Sequence, residues 1–147
     1  MIVYAESSAI LAWLLAESRA ADVRAALSGA ERVVASTLTP LECARALERG
    51  AASGRIGEAD SLAARRLLDE AVKSWVLLDM AGAALQRAAR RFPHEPVRTL
   101  DAIHLATALE FHDAVPHLAL LSLDDRVRAN ATALGLATAP LPLTSGS

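Results

Sequence analysis

A chain of 147 residues is one ordinary domain, and 53% hydrophobic residues are enough to fill its core. Aromatic residues make up only 3%, which excludes the single-strand-binding modules that stack bases on aromatic rings. The net charge is −2, from 15 Lys+Arg against 17 Asp+Glu, which excludes a constitutively basic nucleic-acid binder. Any nucleic-acid contact must then come through a local arginine patch or a metal ion.

Lys73 is the only lysine, so the basic residues are almost all arginines, whose forks suit phosphate. Cys43 is the only cysteine, which forbids an internal disulfide and fits a reducing compartment; a small buried apolar role is expected for it. The opening MIVYAESSAILAWLL lacks a basic stretch, and Glu6 interrupts its apolar run. It reads neither as a signal peptide nor as a membrane span, so a cytoplasmic protein without membrane association is expected.

Residues 2–5 (IVYA) predict a buried strand. Ser7 or Ser8 caps a helix reaching about Glu17, with Ile10, Leu11, Leu14 and Leu15 on one face. A second helical piece covers Asp22 to Ser28 and stops at Gly29. Residues 32–35 (RVVA) predict the second strand, and a helix opening at Ser36 or Thr37 runs to about Ser53, with Pro40 and Glu42 near its start. A long helix from Glu58 to about Lys73 should turn Leu62, Leu67 and Leu68 inward. Residues 75–78 (WVLL) predict the third strand and 81–91 a helix ended by Phe92-Pro93. A helix over about 100–112, a strand at 118–121 (LALL), a helix from Asp125 to Leu134 and a short fifth strand near 136–138 complete the pattern. Short apolar strands alternating with amphipathic helices predict an α/β fold, a parallel sheet covered on both faces. The domain is expected to span 1–138, with 139–147 a frayed tail.

In such a sheet, sites form beyond the carboxyl ends of the strands. Glu6-Ser7-Ser8 follows the first strand directly. Glu42 lies one to two turns into the helix after the second. Ser122-Leu123-Asp124-Asp125 follows the fourth, and Asp101 begins the helix feeding it. Carboxylates gathered this way repel one another unless a cation offsets them, and oxygen donors suit Mg²⁺ or Mn²⁺. The histidines and Cys43 show no zinc spacing, and AESSAI contains no glycine for a phosphate loop. The chemistry that fits is metal-assisted phosphodiester hydrolysis, which requires no covalent nucleophile. Receiver-type signalling domains also place acids at strand ends, but they need a lysine after a late strand, and Lys73 precedes the third.

On these residues the chain resembles the PIN-domain ribonucleases, and within them the VapC-type toxins of toxin–antitoxin pairs. Four segments in order carry the resemblance over about residues 1–138: VYAESSAILAWL, STLTPLECARAL, RTLDAIHLATAL and LLSLDDRVRANATALGL. It implies a PIN-like three-layer sandwich with about five parallel strands. It implies Glu6, Glu42, Asp101 and Asp124 as the catalytic acids, with Glu6, Asp101 and Asp124 on a Mg²⁺ or Mn²⁺ ion. Ser8, Ser122 and Asp125 become supporting groups. It further implies an RNA substrate, a cognate antitoxin and a homodimer.

Glu6 departs from the family's usual Asp. The extra methylene adds about 1.5 Å, where Mg²⁺ demands near-octahedral geometry at roughly 2.0–2.1 Å. The departure keeps open a second expectation, a weak or inactive PIN-like module that binds RNA or an antitoxin without cleavage. Several further residues carry bland expectations: His104 as a buried hydrogen-bonded residue, Trp13 as core, and Arg98 and Arg126 as surface arginines or phosphate contacts.

Overall fold

The protein is described here by a computed structural model covering residues 1–142. Five strands form one parallel sheet: β1 (Ile2–Ala5), β2 (Arg32–Ser36), β3 (Val76–Leu78), β4 (Leu118–Leu121) and β5 (Ala137–Ala139), in the order β3-β2-β1-β4-β5. Seven helices cover it: α1 (Ser7–Leu14), α2 (Ala20–Gly29), α3 (Leu38–Ala52), α4 (Glu58–Val72), α5 (Gly82–Ala88), α6 (Thr99–Ala114) and α7 (Asp125–Ala133).

The strands read as near-continuous apolar runs because both faces are covered. Alternate residues go to opposite layers. Tyr4, Val34, Leu118 and Leu120 pack with Leu105 of α6 and Val127 of α7. Ala5, Val33 and Ala35 pack on the other face with Ile10 of α1, Leu47 of α3 and Leu68 of α4, while Val3 and Leu121 meet Val23 of α2. Each fully buried Leu or Val contributes about 1.5–3 kcal/mol. Cys43 belongs to this second layer, buried as expected, and Trp13 is half-buried between its two clusters.

Three local expectations need correction. The helix after β1 is shorter than its apolar pattern suggests. It closes at Ala16, whose φ of 53° puts it in the left-handed region. The Ala16 amide donates to the Trp13 carbonyl and the Glu17 amide to that of Ala12, a Schellman stop made without glycine. In α4 the inward face is Ser61, Ala64 and Leu68, and Leu62 and Leu67 are exposed. The small Ser61 and Ala64 let α4 approach α3 closely, and the Ser61 hydroxyl donates to the Leu47 carbonyl. The first helix is capped by neither Ser7 nor Ser8 but by the Glu6 side chain, which accepts from the Ser8 amide.

The C-terminal boundary expected at 138 falls inside β5. Arg128 donates to the carbonyls of Ser122, Ala139 and Pro140, and Arg19 to that of Leu141. The rest of the expected tail, 143–147, lies outside the described residues. Among the described residues no helix is long and apolar enough to cross a membrane.

Candidate active site

The chain leaves β1 toward β2 on one side, while β4 pairs on the other. The strand order therefore reverses between β1 and β4, and the region beyond their carboxyl ends is where an open α/β sheet places its site. The register pairs Ala5 with Leu121, so the next residues, Glu6 and Ser122, emerge side by side. The Glu6 amide donates to the Leu121 carbonyl at 3.0 Å, extending the ladder by one bond.

Glu6 is buried, and it is satisfied by hydroxyls. Its Oε2 accepts from Ser122 Oγ at 2.7 Å and from Ser8 Oγ, and its Oε1 accepts from the Ser8 amide at 3.1 Å. Ser8 Oγ lies 3.2 Å from Ser122 Oγ and accepts from the Leu123 amide. Ser122 Oγ accepts from the Asp124 amide at 3.1 Å. These two serines thus tie the β1 exit to the β4 exit.

Asp124 is the N-cap of α7, and its Oδ1 accepts from the Val127 amide at 2.9 Å. Of the adjacent pair Asp124 and Asp125, the first is therefore the cap and the second opens the helix. Asp101 sits in the first turn of α6, with Arg98 Nε 3.7 Å from its Oδ2. Arg98 is largely exposed and is itself the N-cap residue, with Thr99 already inside the helix. Burial raises the Asp101 carboxyl above its ordinary range, and the charges of Glu6 and Asp124 push it further than Arg98 holds it down. Glu6, Asp101 and Asp124 are thus electrostatic neighbours.

Glu42 occupies a different corner, in α3. Its Oε1 accepts from Ser7 Oγ at 2.9 Å and lies 2.5 Å from His104 Nε2. Burial raises the Glu42 carboxyl, but the hydrogen bonds from His104 and Ser7 work against it, and the group lies below its ordinary range. Thr39, also on α3, donates to the Ala5 carbonyl and Cys43 Sγ lies 3.9 Å from the Ser7 carbonyl, which fixes the start of α3 against the β1 exit. Burial and the charges of Glu42 and Glu6 push the Cys43 thiol up to about 12, so it remains protonated.

The four acids thus fall into two groups: Asp101 with Glu6 and Asp124, whose charges reach it, and Glu42 paired with Ser7 and His104. Their all-oxygen donor chemistry fits a hard divalent cation. Among the described residues, however, no three His, Cys, Asp or Glu side chains are already gathered closely enough to hold one. Glu6 is engaged by the serines and Asp124 by its helix, so the donors fit the ion in kind but are not preassembled around it. Arg126 follows Asp125 in α7 and flanks the loop at Pro93–Glu95.

Sequence reasoning expected the four acids, Ser8 and Ser122 near these strand ends but left His104 and Ser7 as structural groups. The only signal for them was the spacing of His104 one turn after Asp101. Their contacts to Glu42 span 62 and 35 residues of chain and leave no local pattern.

Comparison with known proteins agrees with the fold. The model of the PIN domain family matches residues 3–133. Ribonuclease VapC35 of Mycobacterium tuberculosis is 34% identical over 132 residues, covering 90% of this chain and 82% of that protein, in each of two strains. Among solved structures, PAE2754 from Pyrobaculum aerophilum superposes with a TM-score of 0.62 at 21% identity, over 94% of this chain and 83% of that one. Mycobacterium tuberculosis VapC20, described as a sarcin-ricin-loop-cleaving toxin, gives 0.64 at 14% identity, over 92% of this chain and 96% of that one. The chain belongs to the PIN-domain family, with VapC ribonucleases among its relatives.

Proposed function

We propose that this chain is a metal-dependent endoribonuclease, the toxin of a toxin–antitoxin pair, built as one domain and acting in the cytoplasm. The observation that carries the reading is that Asp101 lies near enough to Glu6 and Asp124, beyond the ends of β1 and β4, for their charges to raise its carboxyl, in a family whose curated relative is a ribonuclease. Three carboxylates are kept together at a cost in repulsion that a divalent cation offsets.

Asp101, Asp124 and Glu6 are the residues assigned to a Mg²⁺ or Mn²⁺ ion. Such an ion, when bound, activates water and neutralises charge on the phosphodiester oxygens. Ser122 and Ser8 orient Glu6, and Asp125 supports the ion's charge from the first turn of α7. Glu42, held ionised by His104 and Ser7, completes the acidic set. An RNA substrate, a cognate antitoxin and a homodimer belong to the same reading. The test is RNA cleavage with added Mn²⁺: chelator should abolish it, and Asp101→Asn should remove it while the fold survives. Full cleavage by that variant would sink the proposal.

One observation favours a second reading, a weak or inactive module that binds without cutting. The Glu6 carboxylate is already engaged by three donors, the Ser8 amide and the Ser8 and Ser122 hydroxyls. Glu6→Asp separates the two: a large gain from near-zero cleavage supports the second, whereas wild-type protein that already cuts supports the first.

A further inference from the structure

The His104 ring is completely buried, yet its partners are not the backbone groups that usually satisfy a core histidine. Its Nδ1 lies 2.8 Å from the Tyr4 hydroxyl. Its Nε2 lies 2.5 Å from Glu42 Oε1 and 3.3 Å from Ser7 Oγ. The four residues come from β1, α1, α3 and α6, so nothing local brings them together. An ionised carboxylate only accepts, which requires a hydrogen on Nε2. A neutral ring then offers Nδ1 as an acceptor, and the Tyr4 hydroxyl is in place to donate to it. The Ser7 hydroxyl donates to the same Glu42 oxygen. One carboxylate oxygen is therefore gripped by two donors, while the Glu42 side chain keeps 22% exposure.

We propose that His104 is a positioning residue of the active site, whose Nε2–H fixes the Glu42 carboxylate relative to Asp101, one turn earlier on the same helix, with Tyr4 selecting the tautomer. The assignment rests on the nuclease reading for its purpose but not for its geometry. A rigid α6 carries both Asp101 and the group that holds Glu42, so docking of that single helix sets the separation of acids drawn from α6 and α3. Orienting partners behind a reactive carboxylate matter in this way: their loss costs roughly 10–100-fold in activity.

The ring-nitrogen NMR spectrum of histidine-labelled full-length protein reads the tautomer without any substrate. Hydrogen on Nε2 of His104 is expected, and Tyr4→Phe should redistribute it. In cleavage of total transfer and ribosomal RNA with Mn²⁺, His104→Leu that melts cooperatively should lower kcat about 10–100-fold with KM changed less than about threefold. His104→Gln, which returns an N–H near the Nε2 position, should recover most of that loss. Hydrogen on Nδ1 in the wild type, or a folded His104→Leu that cleaves like the wild type, overturns the assignment. Should His104→Leu not fold, Tyr4→Phe decides: an unchanged tautomer and unchanged kcat overturn it. Wild-type protein that cleaves no RNA defeats the nuclease reading instead, and the nitrogen spectrum alone then decides the positioning of Glu42.

Discussion

Ser122 Oγ donates to Glu6 Oε2 at 2.7 Å and at the same time accepts from the Asp124 amide at 3.1 Å. One hydroxyl thus links an acid at the end of β1 to the backbone of an acid after β4. Ser122→Ala leaves a buried carboxylate oxygen with one donor fewer. We expect a stability loss of about 1–3 kcal/mol in denaturant unfolding and a drop in RNA cleavage of roughly 10–100-fold. Cleavage unchanged in the folded variant would show that the orientation of Glu6 is irrelevant to the reaction.

Asp124 serves a helix and, in the proposed mechanism, an ion. The two roles separate by substitution. Asn caps a helix as well as Asp, so Asp124→Asn should leave stability within about 0.5 kcal/mol and still abolish cleavage. Asp124→Ala should also cost about 1 kcal/mol of stability. Parallel melting curves and cleavage assays test both halves.

Asp101 makes the metal-free protein sensitive to pH in a defined direction. Its carboxyl is raised in the folded state by burial and by Glu6 and Asp124. The folded form therefore holds this proton more tightly than the unfolded chain. Its contribution to stability is present at acid pH and is lost as pH rises through the unfolded and then the folded value. Glu42, lowered in the folded state, behaves oppositely: its contribution is present above its unfolded value and is lost as pH falls through the folded one. Asp101→Asn should raise the Tm of the metal-free protein at neutral pH and have little effect near pH 3. Added Mn²⁺ should raise the wild-type Tm at neutral pH, by about 2.7 kcal/mol of stability at a hundred times its Kd, and fail to do so for the variant. A neutral-pH Tm of Asp101→Asn below that of the wild type contradicts the repulsion argument.

The left-handed Ala16 offers a prediction independent of function. An alanine there costs about 1 kcal/mol or more that glycine avoids. Ala16→Gly should stabilise the protein by about that amount in equilibrium unfolding, with cleavage unaffected.

Much of the architecture can be read directly from residue patterns. Runs such as IVYA and LALL are apolar throughout because the central strands are buried on both faces, and the acids stand immediately after them. What escapes is whatever depends on close approach rather than hydrophobicity. The inward side of α4 is marked by Ser61 and Ala64, which look polar or neutral, while the conspicuous Leu62 and Leu67 stay outside. β3 lies at the sheet edge with Val76 and Leu77 exposed, although its sequence looks as buried as that of β4. The bond between His104 and Glu42 joins two helices that no sequence spacing relates. The acids' neighbourhood was thus legible, but their partition into a charged trio and a histidine-held fourth member was not.

Arg128 carries the fork that clasps the carbonyls of Ser122, Ala139 and Pro140. The serine it holds by the backbone is the one whose hydroxyl binds Glu6, so β5 works as a buckle on the proposed site. Trimming the protein before Ala139, or fusing a bulky tag close behind Pro140, would slacken the proposed site although its acids all lie upstream of it.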